Sequence, residues 1–139
     1  MVSLRGDAEP PARRWSPRRV PIMIVDDDFA IRRTLAEVLS EEGHQVICAA
    51  NGREALGLLA EGSIRPGLII LDLWMPHMDG IEFRRIQQSL TRWSEVPILV
   101  ITASRLLPRE LPKLGLEHVL RKPLQLHELL AKVTDLTSL

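Results

Sequence analysis

The stretch Pro66-Gly-Leu-Ile-Ile-Leu-Asp-Leu-Trp-Met-Pro-His-Met-Asp-Gly80 decides how this chain is read. Leu68 to Leu71 is a continuous apolar run, short enough for a strand buried on both faces of a parallel sheet. Asp72 ends the run, and the carboxyl end of such a strand is where open α/β sheets bind ligands. Met75-Pro76 breaks the strand, and Asp79-Gly80 offers a turn and a helix start before Ile81. Taken alone, Asp72 reads equally well as the cap of a turn.

Three other apolar runs end in the same manner. Val20 to Val25 runs into Asp26-Asp27-Asp28, Val96 to Ile101 into Thr102, and His118 to Arg121 into Lys122-Pro123. The intervals are 45 residues from Asp27 to Asp72, 30 to Thr102 and 20 to Lys122. The first has room for helix–strand–helix, and each of the others for one crossover helix. In a parallel sheet, carboxylates, a hydroxyl and an amine therefore converge at one edge.

The elements between follow from periodicity. Ile31, Leu35, Val38 and Leu39 predict a helix over Asp28 to Glu42, stopped by Gly43. Gln45 to Ala50 reads as the second strand, with Asn51-Gly52 as its turn. Arg53 to Ala60 reads as a short helix with Ala55, Leu56 and Leu59 inward, weakened by Gly57. Ile81 to about Leu90 is a third helix, with Ile81, Phe83, Ile86 and Leu90 apolar. Between Thr102 and Gly115, Pro108 and Pro112 forbid a normal fourth helix, because proline lacks the N–H and clashes with the preceding turn. Leu124 to Leu136 is the last helix, with Leu126, Leu129, Leu130 and Val133 inward. The alternation implies an α/β, flavodoxin-like, doubly wound sheet of five parallel strands in order 2-1-3-4-5, with a degenerate fourth helix.

The acidic cluster, the Asp-Leu-Trp-Met-Pro-x-Met-Asp-Gly segment, Thr102-Ala103 and Lys122-Pro123 together resemble the receiver domain of bacterial two-component response regulators, over residues 20–139. The resemblance implies that Asp72 accepts a phosphoryl group from a sensor histidine kinase or histidine phosphotransfer protein and so switches a protein-binding surface. It also implies that Asp26, Asp27, Asp72 and the Trp74 backbone carbonyl bind Mg²⁺, a cation that prefers hard oxygen ligands and retains water. Thr102 and Lys122 would engage the phosphoryl oxygens, and a cis bond before Pro123 would aim the lysine. Asp28 would point away and cap the first helix. Such a domain catalyses only its own phosphorylation and dephosphorylation. Trp74 is expected to shield the acyl phosphate and extend its lifetime beyond seconds.

Two departures stand out. The family couples its threonine to an aromatic on the fifth strand, and the matching position is Val119. The fourth-helix interval also looks about two residues short. The expected output is therefore a rearranged loop from Ser104 to Lys113, or another surface. A phosphorylation-independent interaction module on the same fold is the alternative.

Composition narrows the remaining classes. With 139 residues, 45% hydrophobic and 26% charged, the chain has one domain's worth of core. The formal charge is zero, which favours neither nucleic acid nor membrane binding. No apolar run approaches the roughly 20 residues that span a bilayer. Residues 1–19 carry five arginines and three prolines and read as a basic disordered tail; the run after Arg18-Arg19 is too short for an export signal. The single cysteine, Cys48, is expected to pack in the core. A cytoplasmic location fits these features and is expected. The four histidines lack metal-ligand spacing, and no glycine-rich loop follows the first strand. A dehalogenase-type phosphatase needs a second aspartate at position 74, which is tryptophan. No DNA-binding or enzymatic segment follows the last helix in this sequence, so output by protein contact is expected, from a stand-alone regulator or from part of a longer protein. A phosphorylation-dependent dimer is compatible with the resemblance.

Overall fold

The computed structural model describes residues 19–90 and 92–138. The expected basic tail lies almost entirely outside them. Five strands and four helices alternate: β1 Ile22–Val25, α1 Phe29–Glu41, β2 Val46–Ala49, α2 Gly52–Glu61, β3 Leu68–Asp72, α3 Gly80–Ser89, β4 Ile98–Thr102, β5 His118–Arg121 and α4 Leu126–Thr137. The sheet runs β2-β1-β3-β4-β5, every pair parallel, as expected.

β1 and β4 begin later than their apolar runs suggest. Pro21 precedes Ile22 and Pro97 precedes Ile98. Neither proline can donate to a ladder. Thr102 accordingly belongs to β4 rather than following it. Within the sheet, side chains alternate between two cores. Met23, Val25, Ile69, Leu71 and Val100 pack with Ala55 and Leu59 of α2 and Ile81 and Phe83 of α3. Ile22, Ile24, Leu68, Ile70, Leu99 and Ile101 pack with Leu35 and Leu39 of α1 and Leu129 and Val133 of α4. The double burial accounts for strands that are apolar throughout.

Caps set the helix starts. Asp28 accepts from the amides of Ala30 and Ile31, as expected of it. Asn51 accepts from Glu54 N while Glu54 returns a carboxylate oxygen to Ala50 N, so Gly52 is helical rather than part of a turn. Asp79 caps α3 through Glu82 N. Gly57 is exposed and open on all sides, and α2 runs through it.

The interval with two prolines holds no fourth crossover helix. Only a 3-10 turn, Pro112–Leu114, forms there. Buried Leu111 and Leu116 plug the core where a helix would lie. The Leu114 carbonyl accepts from Arg84 Nε at 2.7 Å and from Gln88 Nε2 at 3.2 Å, tying this plug to α3.

One inward assignment needs correction. Leu126 is 53% exposed, because α4 begins at Leu126 and it is Leu124, in the extended entry, that reaches the core. Leu90 lies past the end of α3 and is exposed. The last buried position on that helix belongs to Gln87, whose amide donates to the carbonyls of Trp93 and Val96 and accepts from Arg84. A buried amide is tolerated because its hydrogen bonds are made.

Candidate functional site

The sheet order reverses around β1 and β3, which lie side by side with Val25 level with Leu71. The next residue on each strand is Asp26 and Asp72, so two carboxylates meet at the switch point of the sheet. Asp72 is level with Ile101, and Thr102 with Arg121. Lys122 N donates to the Thr102 carbonyl at 2.8 Å, extending the β4–β5 ladder by one residue and setting Lys122 over the site. All five polar groups read from the sequence therefore stand at one sheet edge.

Asp26 is fully buried and heavily engaged. Its Oδ1 accepts from Asp28 N at 2.8 Å and its Oδ2 from Lys122 Nζ at 2.8 Å. Arg32 Nη1 donates to its backbone carbonyl. Asp72 is also buried but weakly held, with Trp74 N 3.4 Å from Oδ1 and Lys122 Nζ 3.6 Å from Oδ2. Asp27 is exposed. One carboxylate oxygen from each of Asp26, Asp27 and Asp72 can be chosen so that all lie within 4.8 Å of one another.

The electrostatics follow from that crowding. Burial, then the charge of Asp26, push the Asp72 carboxyl up to about 6, against the pull of Lys122 and the Trp74 amide; Asp27 adds to the upward push. Burial alone would lower the Lys122 ammonium, but its hydrogen bond to Asp26 and the charges of Asp26 and Asp72 carry it above its ordinary value. Three carboxylates facing one ammonium leave a surplus of negative charge. Hard oxygen donors, two buried and one open to water, are a donor set that suits Mg²⁺.

The β3–α3 loop passes close to this site. His77 takes a left-handed conformation at φ 70°, and Met78 N bonds back to Pro76 O. Gly80 then packs against the backbone of Asp72 and Leu73. Trp74 is 49% exposed and borders an open groove with Glu82, Arg85, Pro108 and Glu110. The Lys122–Pro123 bond is cis. Val119 is half-buried against the α2–α3 core. Half-buried Cys48 also packs with core residues, and burial raises its thiol.

Two contributors escaped the sequence. Ser104 N donates to Thr102 Oγ1 at 3.1 Å, and Arg121 Nη1 donates to Ser104 O at 2.7 Å. A serine two residues after a strand and an arginine closing another carry no signal until the register sets Arg121 opposite Thr102.

The family described as Response regulator receiver domain matches residues 22–134. The Response regulator MprA of Mycolicibacterium vanbaalenii is 42% identical over 119 residues, covering 84% of this chain and 50% of its own length. That of Mycobacterium bovis is 40% identical over the same span. The chain thus spans about half the length of these curated relatives. Among solved structures, the chemotaxis response regulator CheY4 of Vibrio cholerae superposes with a TM-score of 0.78 at 30% identity, covering 85% of this chain and 98% of its own. The signal receiver domain of a signal transduction histidine kinase from Syntrophus aciditrophicus gives 0.70 at 31% identity, covering 86% and 90%. No helix among the described residues is long and apolar enough to cross a membrane.

Proposed function

This chain belongs to the response-regulator receiver family, a signalling family, and from that premise we propose that it is phosphorylated on Asp72 in a Mg²⁺-dependent reaction. The observation that carries the reading is the meeting of Asp26, Asp27 and Asp72 within 4.8 Å, with Lys122 Nζ 3.6 Å from the acceptor. An Asp72 carboxylate oxygen attacks the phosphorus of a phosphohistidine. The new O–P bond forms as the N–P bond breaks, and the departing imidazole takes up a proton. Asp26, Asp27, Asp72 and the Trp74 carbonyl would hold the cation. When bound, it neutralises phosphoryl charge and eases the ionisation of Asp72. The Lys122 ammonium supplies a second positive charge beside the phosphoryl oxygens, and the Thr102 hydroxyl can donate to one of them.

The donor is a sensor histidine kinase or histidine phosphotransfer protein, and the product is a changed surface for a downstream protein, in the cytoplasm. An apolar groove beside the site supports a protein donor. Ala30, Ile31, Thr34, Pro123 and Leu124 line it next to Lys122, and Phe29, the residue before Ala30 in the chain, is 66% exposed. Ala30→Arg should slow phosphorylation by a protein donor by about tenfold or more, by blocking this groove. It should leave transfer from acetyl phosphate within about twofold. Equal slowing with both donors would remove the groove from the reaction.

Intact mass after incubation with acetyl phosphate and Mg²⁺ tests the whole reading. A single phosphoryl adduct is expected, absent from Asp72→Ala and from samples without Mg²⁺. Folded protein that neither gains the adduct nor binds Mg²⁺ would leave the phosphorylation-independent interaction module instead.

A further inference from the structure

Since Val119 cannot act as an aromatic partner for Thr102, some other contact must couple the site to its surroundings if phosphorylation is to be felt beyond it. Ser104 is bonded on three sides. Its amide donates to Thr102 Oγ1, its carbonyl accepts from Arg121 Nη1, and its hydroxyl closes a turn with the amide and carbonyl of Leu106. That turn presents Leu106, 83% exposed, and Leu107, 40% exposed. The far end of the segment is anchored, with Leu111 buried and Leu114 O held by Arg84 and Gln88. Between these anchors lies the stretch of residues 105–110, touched from α3 by the ion pair of Glu110 with Arg85.

We propose that Arg121 is a positioning residue that latches Ser104 in the resting state, and that the Thr102–Ser104–Arg121 chain replaces the threonine–aromatic relay. The inference rests on the phosphoryl-acceptor reading of Asp72. A hydroxyl has one hydrogen to donate and lone pairs to accept with. Thr102 can therefore keep the Ser104 amide while giving its proton to a phosphoryl oxygen. If the hydroxyl moves toward Asp72, the Ser104 amide follows it or loses its partner. A shift of Ser104 draws its carbonyl away from Arg121, and the 2.7 Å bond between them is lost once the two separate beyond hydrogen-bonding distance. The turn at Ser104–Leu106 then carries Leu106 and Leu107 to a new position.

Linkage sets the sign of the effect. A contact made only in the resting state opposes the activated one, so its removal must tighten binding of a phosphoryl mimic. Titrating folded full-length protein with beryllium fluoride and Mg²⁺, while following the amides of residues 104–107 by NMR and hydrogen exchange, reads both ends. Relative to wild type, Arg121→Ala should bind the mimic about fivefold more tightly and exchange the Leu106 and Leu107 amides about fivefold faster without it. Arg121→Lys keeps a cationic donor and should restore most of both values. Arg121→Ala with wild-type mimic affinity and wild-type exchange would overturn the latch. Protein in which neither beryllium fluoride nor acetyl phosphate modifies or binds Asp72 would overturn the acceptor reading, and the relay with it. A normal adduct with an unmoved loop would overturn the relay alone.

Discussion

Replacing Asp72 with asparagine should abolish the phosphoryl adduct and at the same time make the cation-free protein more stable. The first effect follows from loss of the nucleophilic oxygen, and at least a thousandfold drop is expected. The second follows from the work of ionising a buried carboxyl beside Asp26. The carboxyl sits at about 6 in the folded protein, above its ordinary 3.8, so folding favours the protonated form. Stability is then lost as pH rises from about 4 through 6, and the full penalty stands above that window. At pH 7 the penalty is on the order of 3 kcal/mol. Asparagine keeps the shape and removes the charge, while Lys122 retains its 2.8 Å bond to Asp26. Denaturant melts without divalent cation should show Asp72→Asn more stable than wild type at pH 7 and nearly equal to it at pH 4. Added Mg²⁺ should narrow the gap at pH 7 by stabilising wild type more. A wild type more stable than the variant at pH 7 in chelator would contradict this account of the site.

Gly80→Ala should destabilise the fold by about 1–3 kcal/mol, because the methyl group has nowhere to go. A Cβ there would lie 2.9 Å from the Asp72 carbonyl oxygen and 3.0 Å from Leu73 Cα, both backbone atoms. No side-chain rotation can relieve such a contact. Either α3 lifts from the end of β3 or β3 shifts, and β3 carries Asp72. The 2.8 Å bond from Gly80 N to Leu73 O would be strained as well. Phosphoryl acceptance should fall with stability. Gly57→Ala is the matching control, since a Cβ there meets nothing within 4 Å in an exposed helical position. It should stabilise the protein by about 0.5–1 kcal/mol. Thermal or denaturant melts of the pair should move in opposite directions; a Gly80→Ala variant as stable as wild type would mean that α3 does not press on the acceptor strand.

The polar sheet edge was legible because its groups follow the strand runs. Val25-Asp26, Leu71-Asp72, Ile101-Thr102 and Arg121-Lys122 all mark strand ends, and in a parallel sheet with crossover connections those ends share one side. The failed helix was legible too, from Pro108 and Pro112, because a missing N–H is a local fact. Gln87 was not. A polar residue at an inward helical position reads as exposed unless the carbonyls of Trp93 and Val96, brought by a later loop, are known to receive it. Leu126 was misplaced for a related reason. The inward stripe of a helix depends on where it starts, and Leu124 occupies the apolar place before the first turn.

The sequence by itself determined the strands, their order along the chain and the identity of the groups that meet at the sheet edge, because apolar runs and their breakers act locally. Tertiary structure decided how those groups stand to one another. Register set Val25 level with Leu71, one residue before Asp26 and Asp72, and Arg121 opposite Thr102, and packing buried two carboxylates together. Those relations belong to pairs of residues that are far apart in the chain. They arise only once burial of the two cores holds the strands in one alignment, since slipping a strand by one residue would turn each side chain to the opposite face.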